Sequence, residues 1–134
     1  MTEQEINITI AETCGATWAK KPVFDHDGRW HWHFGKDPFE FDSSWAGEPP
    51  SRDKCILELD VPDYYSDLNA MHEAEKIFDD RHKYTDDTRS LYYDYLALSA
   101  EGFPDKWEVS WHVLRATAPQ RAEAFLRTVN KWKE

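Results

Sequence analysis

The residues most able to do chemistry lie between positions 18 and 45. His26, His31 and His33, with Asp25 and Asp27 beside them, place imidazoles and carboxylates on one short stretch, DHDGRWHWH. A zinc or nickel site needs three or four such ligands converging on one point. Alternation along an extended chain puts His31 and His33 on the same face, which secures two ligands and no third. They are read as surface histidines; His31 and His33 are the pair a metal would use, and neither a metal nor any other cofactor is expected.

The same region offers a second chemistry. Trp18, Trp30, Trp32, Trp45, Phe39 and Phe41 supply aromatic faces, and Lys20, Lys21, Arg29 and Lys36 are interspersed among them. Stacking accepts any nucleobase, and a guanidinium can hold phosphate through two parallel hydrogen bonds. The candidate ligand-binding residues are therefore Trp18, Arg29, Trp30, Trp32 and Trp45. Arg121 joins them, near the start of the last helix, where free backbone amides favour an anion. Some of these rings must also serve as core, the usual fate of Trp in a small domain.

Catalytic patterns are missing from the sequence. Cys14 and Cys55 carry no nucleophile signature, and there is no GxSxG, HExxH or glycine-rich phosphate loop. His72 and Glu73 do not begin an HExxH, because position 76 is Lys. Glu73 and Glu75 read as helix-surface carboxylates pointing in different directions. The expectation is a protein that is not an enzyme.

Charge narrows the partners. The chain has 26 acidic and 16 basic residues, a formal charge of -10. That field repels long nucleic acid and anionic membranes and attracts basic protein surfaces. Asp60, Asp63, Asp67, Glu73, Asp79, Asp80, Asp86, Asp87 and Asp94 crowd one part of the sequence, as they would on a protein that occupies a basic nucleic-acid groove of another protein. The two isolated cysteines suit a reducing compartment. A polar, acidic opening gives no signal peptide, and no apolar run reaches membrane-spanning length.

Several elements must position these groups. The clearest is an amphipathic helix over Asp63–Phe78, in which Tyr64, Leu68, Met71 and Phe78 form one apolar stripe and Asp63 or Ser66 caps the start. Thr2 and Glu5 have capping-box spacing for a first helix with Ile6, Ile10 and Cys14 inward, ended by Gly15. Lys21–Phe24 and Arg29–Phe34 flank DHDG as a hairpin, with Trp30, Trp32 and Phe34 packed and Arg29, His31 and His33 wet. Gly35–Pro50 reads as a long aromatic loop, and Cys55–Leu59 as a short strand. After the charged connector DDRHKYTDD, Leu91, Tyr95 and Leu98 mark a third helix ending near Gly102 and Pro104. Trp107–Arg115 alternates as a strand. It leads to a last helix capped by Thr117 and Gln120, with Pro119 in its first turn and Ala122, Phe125, Val129 and Trp132 as its buried stripe.

Two stretches carry a resemblance: VPDYYSDLNAMHEAEKIF at 61–78 and ATAPQRAEAFLRTVNKWKE at 116–134. They resemble the small bacteriophage and prophage proteins of the phage ABA sandwich domain family, and EINITIAETCG with Trp18 is similar to the start of such proteins. The resemblance implies a layered α/β fold, a phage origin and the cytoplasm of the infected bacterial host; it carries over no residue roles. The segment at about 18–60 is longer and more aromatic than the family's usual linker and stands as an insertion.

The expected fold is one domain of α+β class: an α/β/α sandwich with a small, mainly antiparallel sheet covered by about four helices. The expected function is a phage-encoded counter-defence protein, non-catalytic, that sequesters a nucleotide-derived host immune signal. The alternatives are an acidic, anti-CRISPR-like inhibitor of a host defence nuclease and a phage accessory protein unrelated to defence. The partner is thus a small nucleotide-type ligand or a basic host defence protein, with no long nucleic acid and no membrane. The surplus of aromatics is compatible with a homo-oligomer.

Overall fold

A computed structural model of the chain describes residues 1–36, 44–98 and 115–134. Among them are four α-helices and a small four-stranded sheet, mainly antiparallel, so the fold is of α+β class. The chain divides into two compact units, one made of Met1–Ile10 with Pro62–Glu134, the other of Ala11–Val61. The second unit corresponds closely to the aromatic insertion. The expected strand at Trp107–Arg115 lies outside the described residues apart from Arg115, as do Gly102, Pro104, Phe39 and Phe41.

The first unit is helical. Helix α1 (Glu3–Thr13) belongs to it as far as Ile10. The capping box forms: the Thr2 amide donates to Glu5 Oε2 at 2.7 Å and the Glu5 amide to Thr2 Oγ1 at 3.1 Å. These bonds hold the Glu5 carboxyl below its ordinary range. Ile6 and Ile10 are buried as their spacing requires.

Helix α2 (Leu68–Glu75) is shorter than the expected Asp63–Phe78. Residues after Pro62 first turn on themselves, the Asp67 amide donating to the Asp63 carbonyl at 2.8 Å. Asp67, neither Asp63 nor Ser66, is the cap, its carboxylate accepting from the Asn69 amide at 2.9 Å. Lys76–Asp79 continues as a 3-10 turn. Because Tyr64 precedes the helix, the helical phase begins later than the sequence pattern assumed. Tyr64, Met71 and Phe78 are buried with Ala74, whereas Leu68 is 41% exposed.

Helix α3 (Asp86–Leu98) also buries a different stripe from the expected one. Tyr92 and Leu96 are inside, one position beyond Leu91 and Tyr95, of which Leu91 is exposed and Tyr95 half-buried. Helix α4 (Ala118–Thr128) starts with the complete Thr117/Gln120 capping box and Pro119 in its first turn. Ala122 and Phe125 are buried, while Val129 and Trp132 are half-buried. Helices α3 and α2 both pack on α4. Phe78 joins them, its ring centroid 5.1 Å from both Tyr92 and Phe125.

The second unit is built on β3 (Trp30–Gly35). Strand β1 (Thr17–Trp18) and strand β2 (Val23–Phe24) pair with it antiparallel, with Trp18 opposite Phe34 and Phe24 opposite Trp30. The DHDG hairpin closes as expected: the Asp25 carboxylate accepts from the Asp27 and Arg29 amides, and Gly28 takes a φ of +79°. Strand β4 (Ile56–Asp60) pairs with β3 in parallel. The long connection from Gly35 to Ile56 is what permits a parallel neighbour. The expected division of β3 into a packed and a wet face does not hold, since His31 and His33 are half-buried like Trp30 and Trp32.

The capping box of α4 gives a direct test. Thr117→Ala is expected to lower stability by about 1 kcal/mol, because one first-turn amide loses its acceptor. Urea unfolding followed by helical circular dichroism would show the loss, and an unchanged midpoint would contradict it.

Candidate functional site

A salt bridge ties the three helices that follow Asp67. Glu75, in the last turn of α2, receives Arg121 Nη1 from α4 at 3.1 Å on Oε1 and 3.3 Å on Oε2. The Tyr92 hydroxyl of α3 donates to the same Oε1 at 2.6 Å. Arg121 Nε also donates to the Ala116 carbonyl at 3.2 Å, so the guanidinium is held from two directions. The pair is largely desolvated, with the Arg121 and Glu75 side chains 10% and 19% exposed. Burial and the adjoining carboxylate push the Tyr92 phenol far above its ordinary value, so it stays a neutral donor.

Above this tie the surface opens into a depression of about 410 Å³. Its floor is Glu75, Arg121, Tyr92 and Phe78; His72, Lys76, Asp79, Arg89 and Tyr93 form the rim. Each lining group has a positional reason. His72, Glu75, Lys76 and Asp79 recur at three or four residues, so they share one side of the last turns of α2 and its 3-10 extension. Arg89, Tyr92 and Tyr93 do the same on α3. Tyr93 is 54% exposed, an aromatic face in contact with water. Lys76 Nζ lies 2.7 Å from Glu73 Oε1, and Arg89 Nη2 contacts Asp86 Oδ1, both pairs spanning three residues. The site thus joins aromatic surface with three cations on an otherwise acidic protein.

No family model, curated protein or solved structure matches this chain. What the site can do is therefore argued from its own groups.

The residues singled out from sequence divide between the units. Arg121 is in the pocket of the first. Trp18, Arg29, Trp30, Trp32 and Trp45 belong to the second. There, Trp18 lies 5.1 Å from Phe34 and under the Arg52 guanidinium at 4.7 Å. Phe24 bridges Trp30 at 5.0 Å and Trp45 at 5.5 Å. Trp45 is 74% exposed and Arg29 is exposed, while the Trp32 Nε1 donor is buried without a hydrogen-bond partner among the described residues.

His26 is exposed as expected, while His31 has a different role from the surface one expected. His31 Nε2 contacts Asp25 Oδ2, and Nδ1 lies 2.8 Å from Glu58 Oε1, off the line of a good hydrogen bond. His31 therefore ties the hairpin to β4. The Asp25 hydrogen bond, with Glu58 beyond it, raises its pKa. Asp25 is correspondingly lowered, first by the Arg29 amide and then by His31. Among the described residues, no three His, Cys, Asp or Glu side chains are grouped to hold a metal. Cys55 is buried, donates to the Ser51 carbonyl at 3.6 Å and has its thiol pKa pushed up by burial, the opposite of a poised nucleophile. No described helix is long and apolar enough to cross a membrane.

The sequence reading passed over Tyr92, Tyr93, Arg89, Lys76 and Glu75. Glu73 and Glu75 do point in different directions, yet Glu75 is turned inward. The available signal was the three- and four-residue recurrence of His72, Glu75, Lys76 and Asp79; what hid it was the assumption that charged positions on a helix face water.

Removing Glu75 leaves Arg121 without its counter-ion in a desolvated place. Glu75→Ala should destabilise the first unit by about 3 kcal/mol; a change under about 1 kcal/mol in urea unfolding would refute the tie. For His31, the folded pKa lies above the ordinary 6.5, so its contribution to stability is complete below that value and is lost as pH rises through the folded pKa. Imidazole NMR titration should place the His31 midpoint above 6.5, with Asp25→Asn bringing it down. A midpoint unmoved by that substitution would contradict the pairing.

Proposed function

We propose that the protein is a non-catalytic binder of a small aromatic anion of nucleotide type, received by the pocket among α2, α3 and α4. The observation that carries this reading is the convergence of Phe78, Tyr92 and Tyr93 with Lys76, Arg89 and Arg121 on one open depression of about 410 Å³. That size falls within the span of small-ligand sites, about 300–1,000 Å³. Tyr93 offers a face for a base, and Lys76 and Arg89 offer charge for phosphate. The distribution is informative because the chain as a whole carries -10: Lys76 and Arg89 give the rim two cations against the single carboxylate of Asp79, a local charge that can hold a small anion the global field would not attract.

Binding is favoured over catalysis by how the reactive groups are engaged. Glu75 and Tyr92 hydrogen-bond to one another, and Glu75 is further occupied by Arg121. A general acid or base must be able to reach a substrate proton, and these groups serve the scaffold.

The stretches that resemble phage ABA sandwich proteins, 61–78 and 116–134, supply His72, Glu75, Lys76, Phe78 and Arg121. Under that resemblance the ligand is a nucleotide-derived immune signal of the bacterial host, and the function is counter-defence by sequestration in the host cytoplasm. A second reading, an acidic inhibitor of a host defence protein, draws support from the exposure of Asp63, Asp67, Glu73, Asp79, Asp80, Asp86, Asp87 and Asp94 on the first unit. Such a complex would weaken steeply with salt.

Native mass spectrometry after exposure to a filtered small-molecule extract of infected, defence-positive cells tests the first reading. The expected result is a discrete adduct of nucleotide mass, kept by Arg29→Ala/Trp45→Ala and weakened about tenfold or more by Arg89→Ala/Tyr93→Ala. Adduct loss confined to the Arg29/Trp45 variant would move the site to the second unit. No adduct at all, with salt-sensitive capture of a basic host protein, would favour the inhibitor.

A further inference from the structure

The three cations of the pocket are not equivalent. Arg121 is fixed: its carboxylate partner Glu75 is largely buried and also accepts from Tyr92. Lys76 and Arg89 are each answered by an acid three residues earlier in the chain, Glu73 at 2.7 Å and Asp86 in direct contact. These acids are open to water, with the Glu73 and Asp86 side chains 72% and 91% exposed. Exposed pairs of this kind hold their partners weakly. Either carboxylate can swing into solvent without losing packing.

We propose that Glu73 and Asp86 are built-in competitors for the ligand's phosphoryl groups, and that the pocket takes an aromatic ligand bearing at least two phosphoryl groups, which displaces both acids together. The inference rests on the binding reading above. Its argument is one of competition. A ligand with a single anionic group displaces one acid and gains one cation. A diphosphate engages the second cation from an already bound molecule, so the second displacement is intramolecular and costs no further association. The acids thus set a threshold: an uncharged aromatic molecule is left with the stacking surface of Tyr93 alone, and a single phosphoryl group reaches only one of the two cations.

The variants leave the fold intact on structural grounds. Asp86 lies in the first turn of α3, but the Thr88 amide is already answered by Thr85 Oγ1 at 3.3 Å. Glu73 faces solvent in the last turn of α2. Glu73→Gln and Asp86→Asn therefore remove charge with little change of shape.

Calorimetric titrations with ADP, AMP, adenosine and pyrophosphate, at about 0.15 M salt where remote charges are screened over about 8 Å, provide the test. ADP should bind the wild type about tenfold more tightly than AMP, with adenosine weaker still and pyrophosphate weaker than ADP for want of a ring. Glu73→Gln and Asp86→Asn should each raise ADP affinity about two- to fivefold, and the double variant by about the product. Glu3→Gln, an equal change of total charge at an exposed position of α1, should leave it unchanged. ADP bound equally by wild type and double variant, or an equal gain from Glu3→Gln, would overturn the competition while leaving the binding reading in place. ADP and AMP bound alike would overturn the requirement for two phosphoryl groups. No heat with ADP or pyrophosphate in any variant would overturn the binding reading itself.

Discussion

One carboxylate holds the helices of the first unit together. Glu75 accepts from Arg121 of α4 and Tyr92 of α3 while belonging to α2, so three helices from distant parts of the chain meet at a single buried charge. A desolvated carboxylate is costly unless every partner is present. Its partners therefore specify one arrangement of the helices more sharply than apolar packing alone would, since Phe78, Tyr92 and Phe125 could repack with modest loss. The pocket is a consequence of that arrangement. Burying the ion pair draws α3 and α4 to the end of α2 and leaves the next residues outward on each element, Lys76, Arg89 and Tyr93, standing around the opening.

The second unit uses the same device at smaller scale. His31 sits between Asp25 of the hairpin and Glu58 of the parallel strand. In the first unit the tie joins helices that backbone hydrogen bonds do not join, whereas in the second it reinforces the β2–β3 and β3–β4 pairs that the backbone already makes. The two also differ in solvation: the Glu75 pair is mostly dry, whereas the carboxylates around His31 are wetter, with Glu58 53% exposed. The first is a scaffold, and in the second the carboxylates raise the pKa of the imidazole they hold.

Local signals were legible in the sequence and long-range ones were not. The boxes at Thr2/Glu5 and Thr117/Gln120, the left-handed Gly28 and the DHDG turn were readable because each depends on residues within a few positions. The α+β class followed from the mixture of periods. Legibility ended where a partner came from elsewhere in the chain. Leu68 and Leu91 were placed inward on hydrophobicity, but Ala74 and Tyr92 took the inner positions, Tyr92 because its hydroxyl finds Glu75. Arg121 was singled out for its place near a helix start; that its charge would be consumed by Glu75, 46 residues away, left no local trace. The aromatic segment at 18–45 looked like the richest binding surface, yet several of its rings pair with one another, Trp18 with Phe34 and Trp30 with Phe24.

The central claim is that ligand binding belongs to the first unit and is organised around the Glu75 tie. Amide chemical-shift mapping during titration with ADP tests it most directly. The account predicts that the largest changes fall at His72–Asp79, Arg89–Tyr93 and Arg121, with the hairpin and Trp45 unmoved. Changes concentrated on Trp18, Arg29, Trp30 and Trp45, or none anywhere, would contradict it.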